Sequence, residues 1–175
     1  MTKQELEICI NKYGRDIYSF CRHLAYDPRD ADDLYQDTFL TAVERRDQID
    51  CEDNPKSYLL SIAFRIWKNR KRKFAWRKRI ADVWSVADAR DFDRGNPEEV
   101  SVEDRILGRE RDDMVRRAVE GLLDSLKITV LLYYMEGLST SQIAKIMRIP
   151  AGTVLSRLYR ARKILREKLE EILDE

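Results

Sequence analysis

Residues 137–165, GLSTSQIAKIMRIPAGTVLSRLYRARKIL, decide the fold of the C-terminal part of the chain. Gly137 suits the left-handed conformation that ends a helix. Ser139 stands three residues before Gln142, the spacing of a capping box, so a new helix is predicted to begin there. Pro150 cannot continue that helix, but it suits the first turn of the next one. Two short helices joined by a tight turn are therefore predicted, as in a helix-turn-helix.

The two predicted helices are both amphipathic. The first has an apolar face formed by Ile143, Ala144 and Met147. In the second, an apolar stripe recurs at steps of four, three and four residues: Val154, Leu158, Ala161 and Leu165. Its other side is polar and basic, with Ser156, Arg157, Tyr159, Arg160, Arg162 and Lys163. A basic side on the second helix favours DNA binding, and the alternative is a helical hairpin with a solvated basic face.

The composition favours a nearly all-helical protein of one medium or two small domains. The chain has 175 residues, of which 43% are hydrophobic and 37% charged, with only six glycines and four prolines. The net charge of +1 conceals a segregation of charge, since 65–79 and 145–168 are basic whereas 27–53 and 82–104 are mostly acidic. Such blocks indicate partners of opposite sign. No stretch approaches membrane-spanning length, so a cytoplasmic protein is expected.

The cysteines and the histidine do not have the spacing of a metal site. Cys9, Cys21, Cys51 and His23 form no CxxC or comparable pattern, so no metal or cofactor is expected. Cys9 and Cys21 fit the apolar face of the first helix as small buried side chains. A redox role for any of the three cysteines stays open.

Three helices are predicted in the N-terminal part. Apolar periodicity places the first at Lys3–Tyr26. Asp30 or Asp32 is expected to cap the second, which runs to about Arg46 and buries Leu34, Tyr35, Phe39, Ala42 and Val43. Asn54 and Pro55 are expected to begin the third, whose inner face carries Tyr58, Leu59, Ile62, Ala63 and Ile66.

The third helix continues into RIWKNRKRKFAWRKR, where aromatic residues alternate with arginine and lysine. Bases can stack on aromatic rings while cations follow the phosphates, so this segment is predicted to bind single-stranded nucleic acid. The alternative is that Trp67 and Phe74 belong to a hydrophobic core beside solvated cations.

The remainder of the chain is predicted to form a linker and two further helices. Ile80 to Asp104 is acidic, contains Gly95-Asn96-Pro97 and lacks sustained helical spacing, which indicates an interdomain linker. A helix is then expected through Met114, Val115, Ala118, Val119, Leu122 and Leu126. Ile128 to Met135 is expected to form another that supports the helix-turn-helix.

The helix-turn-helix segment resembles the promoter-reading region of bacterial sigma factors of the extracytoplasmic-function (ECF) group. The matching run is G-L-S, then Q-I-A-K-I, then P-x-G-T-V-x-S-R-L-x-R-A-R. Upstream, DADDLYQDTFLTAVE resembles the segment through which sigma factors grip the clamp-helix coiled coil of RNA polymerase. The resemblance implies an all-α fold of two small helical domains joined by a flexible linker: an N-terminal sigma domain at 1–80, an acidic linker at 81–104 and a C-terminal domain at 105–175.

The resemblance also implies three sets of functional residues. The recognition helix is expected to bind the −35 promoter element through Thr153, Leu155, Ser156, Arg157, Tyr159, Arg160, Arg162 and Lys163. The basic aromatic segment is expected to recognise and open the −10 element through Arg65, Trp67, Lys68, Asn69, Arg70, Lys71, Arg72, Phe74 and Trp76, with a flipped base accepted by the loop at 47–56. The acidic helix is expected to contact polymerase through Asp33, Leu34, Gln36 and Asp37.

The sequence departs from the family pattern at several positions. Ser61 and Arg65 replace the usual arginine and asparagine of the third helix, which bears on the choice of −10 bases. Leu122-Leu123 lacks the proline that usually follows the leucine at the start of the support helix. Leu155 stands where the family often has a basic residue, so a methyl or groove-shape contact is expected to replace a hydrogen bond.

The function expected from the resemblance is that of a dissociable promoter-specificity subunit without an active site. Its expected partners are core RNA polymerase, promoter DNA and an anti-sigma factor, with no small-molecule substrate and no membrane insertion. A stand-alone helix-turn-helix regulator is the first alternative, although it leaves the acidic and the basic aromatic helices unexplained. A metal-dependent nuclease using Asp30, Asp32 and Asp37 is weaker, since these carboxylates lack histidine or cysteine partners at ligand spacing.

Overall fold

The computed structural model describes residues 3–45, 54–84 and 106–173. Within these ranges the regular structure is helical, and the chain divides into two units, Met1–Pro97 and Glu98–Glu175. The first unit contains α1 (Lys3–Leu24), α2 (Pro28–Glu44) and α3 (Pro55–Trp84). The second contains α4 (Ile106–Glu120), α5 (Asp124–Val130), a π-helical segment (Leu131–Met135), α6 (Thr140–Met147) and α7 (Ala151–Leu173). The all-α fold in two helical parts is confirmed.

The first unit is a three-helix arrangement in which α1, α2 and α3 each contact the other two. Its core side chains are at most slightly exposed: Ile17, Phe20 and Cys21 from α1, Ala31, Leu34, Thr38 and Ala42 from α2, and Leu59, Leu60, Ile62, Ala63, Phe64 and Trp67 from α3. Thr38 is accommodated in this core because its hydroxyl donates to the Leu34 carbonyl oxygen at 2.7 Å.

The beginning of α2 differs from the expectation. The carboxylate of Asp27, and not that of Asp30 or Asp32, accepts a hydrogen bond from the Asp30 N–H at 2.8 Å. Pro28 then occupies the first helical turn, where its missing N–H costs nothing. The Asp27-Pro28 pair therefore starts α2, three residues before the earlier of the two expected caps. Val43, which was expected to be buried, is 46% exposed.

Helix α3 begins as expected and ends later than expected. The Asn54 side chain accepts from the Ser57 N–H at 3.3 Å, which confirms the cap. The helix continues to Trp84, so its last turn enters the segment that was expected to lack helical structure. The rest of the predicted linker, residues 85–104, lies outside the described residues.

The second unit packs around α5, the end of α4 and the middle of α7. Its core includes Leu122, Leu126, Val130 and Ala161, with Val119, Ile164 and Leu165 packed against them. The single helix expected from Met114 to Leu126 is wrong, because α4 ends at Glu120 and α5 begins at Asp124. An ion pair from Lys127 to Glu120 joins the two helices across that break.

Among the helices that the structure describes, none has both the length and the hydropathy needed to cross a membrane.

Candidate nucleic-acid interface

The turn between α6 and α7 is built from capping interactions. Gly137 has a φ of +68°, and the Ser139 hydroxyl accepts from the Gln142 N–H at 3.2 Å while the Gln142 side chain accepts from the Ser139 N–H at 2.9 Å. The predicted capping box is thus confirmed. At the other end of α6, Arg148 adopts a left-handed conformation with a φ of 54°, a role for which the sequence offered no glycine or asparagine signal. Pro150 lies directly before the first residue of α7.

Helix α7 has the two faces that its periodicity predicted. Val154, Leu158 and Ala161 are buried against the rest of the second unit. The other side faces solvent with Leu155, Ser156, Tyr159, Arg160, Arg162 and Lys163, while Thr153 and Arg157 are half-buried at its border. The predicted −35 residues therefore share one continuous surface, with two large apolar side chains among its cations.

Arg162 is the most constrained cation of this surface. Its Nε donates to the Tyr134 hydroxyl at 2.7 Å, and its guanidinium carbon lies 5.8 and 5.7 Å from the ring centroids of Tyr133 and Tyr134. The hydrogen bond to Tyr134 raises the pKa of Arg162 above its usual value, which is already high enough to keep a guanidinium charged. Lys163, by contrast, lies 4.0 Å from Glu167 on its own helix.

Tyr133 and Tyr134 belong to the π-helical segment, which was expected to be ordinary helix. The Glu136 N–H donates to the Leu131 carbonyl oxygen at 3.1 Å, five residues back. Such wide turns are rare and are frequently found at functional sites. No residue type in 131–135 indicates this geometry, and therefore sequence reasoning missed both tyrosines as neighbours of the recognition helix.

The basic aromatic part of α3 separates into buried and exposed residues. Trp67 is only 9% exposed and lies beside Phe64 in the core, whereas Phe74 and Trp76 are 53% and 64% exposed. The Lys71 ammonium lies 5.2 Å from the Trp67 ring centroid. The alternative interpretation of Trp67 as a core residue is therefore the correct one, and Phe74 does not complete the core.

The predicted −10 cations are also divided between two environments. Arg65, Lys68, Asn69 and Arg72 are exposed, and residues 72–77 face solvent at every position. Arg70 instead points to α2, where its Nη1 lies 2.9 Å from Asp30 Oδ1 and its Nη2 lies 2.6 Å from Asp37 Oδ2. The structure thus removes Arg70 from the exposed cations. The loop at 47–56 lies outside the described residues except for its last three.

The outward side of α2 is acidic and partly apolar. Asp33, Gln36 and Asp37 are exposed there as predicted, but Leu34 is 1% exposed and belongs to the core. Leu34 therefore cannot contribute to a contact surface in this fold. Beside the acidic residues runs a shallow groove lined by Ile10, Tyr35, Gln36, Phe39, Leu40 and Val43. The surface combines negative charge with exposed apolar area, which suits association with a basic protein.

The part of the chain that the structure describes contains no group of histidine, cysteine and carboxylate side chains that could hold a metal ion. Cys21 is buried, and desolvation raises its pKa to about 12, so its thiol is protonated at neutral pH. Cys9 is partly exposed, and burial raises its pKa as well. Cys51 lies outside the described residues.

Two family models match the chain in the expected order. Sigma-70 region 2 matches residues 9–77, and sigma-70 region 4 matches residues 112–165. The ECF RNA polymerase sigma factor SigW of Bacillus subtilis is 26% identical over 93% of this chain and 88% of its own length. The ECF RNA polymerase sigma-E factor of Salmonella typhimurium is 31% identical over 82% of this chain and 76% of its own length.

Solved structures share the fold. The sigma factor RpoE of Bartonella quintana, in complex with the anti-sigma factor NepR, has a TM-score of 0.73 and 22% identity over 95% of this chain and 98% of its own. CnrH in complex with the cytosolic domain of CnrY has a TM-score of 0.67 and 18% identity over 97% of this chain and 90% of its own.

Proposed function

The chain belongs to the ECF group of RNA polymerase sigma factors, and from that membership we propose how its two units divide promoter recognition. Members of this family are regulatory subunits of the polymerase. The proposed division assigns polymerase binding and −10 opening to the domain at 1–80, and −35 recognition to the domain at 105–175. The observation that supports this division is the difference in charge between the helices: the exposed side of α2 is acidic, whereas the exposed sides of α3 and α7 are basic.

In the second unit, α7 enters the major groove of the −35 element with its exposed side. Ser156, Arg157, Tyr159 and Arg160 lie on or beside this side and reach the base edges. Arg162, tied to Tyr134, and Lys163 lie nearer the phosphates. Leu155 is exposed on the same side, and we expect it to contact a thymine methyl group, because a leucine offers no hydrogen bond.

In the first unit, the exposed second half of α3 holds the opened −10 strand. Phe74 and Trp76 provide the ring surfaces for stacking, and Lys68, Arg72 and Asn69 provide polar contacts. Arg65 and Lys71 complete the proposed set. Trp67 acts indirectly, by packing this helix on the core.

The acidic face of α2 binds the clamp helices of core polymerase. Asp33, Gln36 and Asp37 supply charge and hydrogen-bond acceptors, and exposed Leu40 and Val43 supply apolar area beside them. Complementary charge raises the rate of encounter and disfavours partners of the same sign. An anti-sigma factor is the second proposed partner, because similar folds occur in complexes with anti-sigma factors. Both interactions place the protein in the cytoplasm.

A charge reversal on α2 tests this function directly. Asp37→Arg is unsuitable, because the new cation would face Arg70, so Asp33→Arg is the better variant. It should fold normally and lose promoter-directed transcription by core polymerase. Glu7→Arg, which makes the same change of charge at an exposed position of α1, should retain this transcription. In gel-shift assays a stand-alone regulator would instead bind specific duplex at nanomolar concentration without polymerase and regardless of Asp33. That result would refute the proposed function.

A further inference from the structure

Arg70 is shared by two carboxylates of α2. Its Nη1 lies 2.9 Å from Asp30 Oδ1 and its Nη2 lies 2.6 Å from Asp37 Oδ2, so one planar guanidinium spans two turns of the neighbouring helix. Asp30 and Asp37 are seven residues apart and therefore face the same way on α2. The three residues form a clasp between α2 and α3, here called the Arg70 clasp.

Asp37 belongs to the clasp and to the acidic face at the same time. Its side chain remains 51% exposed while it is bonded to Arg70. Asp33 and Gln36 are exposed on the adjoining part of α2. A basic partner that approaches this face therefore meets a carboxylate that already has a cation within hydrogen-bond distance.

We propose that Arg70 is an internal counter-ion that sets the affinity of the acidic face for its basic partner. A cation of the partner that engages both oxygens of Asp37 competes there with Arg70 Nη2 for Oδ2. Arg70 keeps its second carboxylate, Asp30, because the two bonds use different nitrogens. The competition therefore concerns Asp37 alone, so Arg70 weakens binding of the partner but does not block it. This inference rests on the proposed function of the α2 face.

The clasp gives Arg70 a role opposite to that of the other cations of α3. Lys68 and Arg72 lie two residues to either side of it in sequence and are exposed to solvent. Removal of those cations would weaken the attraction of α3 for an anion such as DNA. Removal of Arg70 instead uncovers negative charge on α2, so it should strengthen the attraction for a cation.

The test measures binding of the full chain to core RNA polymerase at low and high salt. Arg70→Gln should bind about two- to fivefold more tightly than the wild type at low salt, as expected for a partly exposed ion pair. The gain should shrink at high salt. Arg29→Gln, which removes an exposed cation at the beginning of α2, is the matched control and should leave the affinity unchanged.

Asp37→Asn tests whether the gain in polymerase affinity depends on the bond between Arg70 and Asp37. This variant should bind core polymerase more weakly than the wild type, and adding Arg70→Gln to it should produce a much smaller gain, because Asp30 alone is then uncovered. Unchanged or weaker binding by Arg70→Gln, an equal gain in the Asp37→Asn background, or the same gain in Arg29→Gln would each overturn the inference. If neither Asp37→Asn nor Asp33→Arg affects polymerase binding, the proposed function of the face fails instead. If circular dichroism shows that Arg70→Gln does not fold, Arg70→Lys takes its place in these affinity measurements, because a lysine reaches only one of the two carboxylates.

Discussion

Arg162 Nε donates a hydrogen bond to the hydroxyl of Tyr134 at 2.7 Å, which ties α7 to the π-helical segment that precedes α6. The two residues are 28 positions apart in the sequence. Because Arg162 also lies over the rings of Tyr133 and Tyr134, the direction of its side chain is restrained. A restrained cation loses less conformational entropy when it binds a phosphate than a freely rotating one does.

Tyr134→Phe should weaken DNA binding slightly and equally for all sequences. The variant keeps the ring beneath Arg162 but loses a hydrogen bond, which for an exposed pair is worth about 0.5–1 kcal/mol at most. Anisotropy titrations with a −35 duplex and a scrambled duplex provide the measurement. A loss confined to the −35 duplex would show that Arg162 reads bases.

Arg160→Ala and Lys163→Ala should separate specificity from general affinity. A good base contact discriminates by about 1–3 kcal/mol, so Arg160→Ala should change promoter preference at one base pair. Lys163→Ala should weaken all sequences alike and reduce the salt dependence of binding. Transcription from a promoter library with single −35 substitutions measures the first effect, and a salt titration measures the second. Equal, sequence-independent losses in both variants would contradict the proposed specificity.

Trp67→Ala should mainly reduce stability, whereas Trp76→Ala should mainly impair promoter opening. Trp67 is buried, so truncating it should reduce the free energy of unfolding by about 3–5 kcal/mol. Trp76 is exposed, so its truncation should cost about 0.5 kcal/mol or less. Urea unfolding measures both values.

Strand opening, followed by permanganate reactivity of unpaired thymines, should then be impaired in Trp76→Ala although this variant folds. Normal opening by Trp76→Ala at saturating polymerase would exclude Trp76 from the −10 contacts.

Stability should fall as the pH rises from about 9 to about 12, in part because of Cys21. Burial raises the pKa of Cys21 from 9.0 to about 12 in the folded protein. Above pH 9 the unfolded thiol loses its proton whereas the folded one keeps it, so the unfolded state gains stability with each pH unit in this window. Cys21→Ala should flatten this part of the stability profile measured by urea unfolding at several pH values. An unchanged slope would assign the decline to other groups.

The features that sequence predicted well depend on neighbours in the chain. The capping box of Ser139 and Gln142, the left-handed Gly137 and the Asn54 cap all involve residues a few positions apart, so spacing alone specifies them. Trp67 could also have been assigned to the core, since it follows Leu60 by seven residues and Ala63 by four, on the same helical face. The many cations around it favoured a role in nucleic-acid binding instead.

The features that sequence missed depend on contacts between distant residues. Arg70 and Asp37 are 33 residues apart, and Arg162 and Tyr134 are 28 apart. Their pairing follows from how the helices pack, and composition does not distinguish these arginines from their exposed neighbours. The cap of α2 was missed for a different reason, because Asp27-Pro28 can end one helix and begin the next.

Helix α3 has 30 residues, and at about 1.5 Å per residue it is about 45 Å long, while the core side chains that the structure describes lie in its first half, between Leu59 and Trp67. The two halves should therefore differ in amide hydrogen exchange. Amides near Leu60 and Ala63 should exchange only through global unfolding, whereas those at 72–77 should exchange through local opening. A bound −10 strand would slow amide exchange in the second half alone. The second half of the helix would then report DNA binding, and the first half would serve as the internal reference.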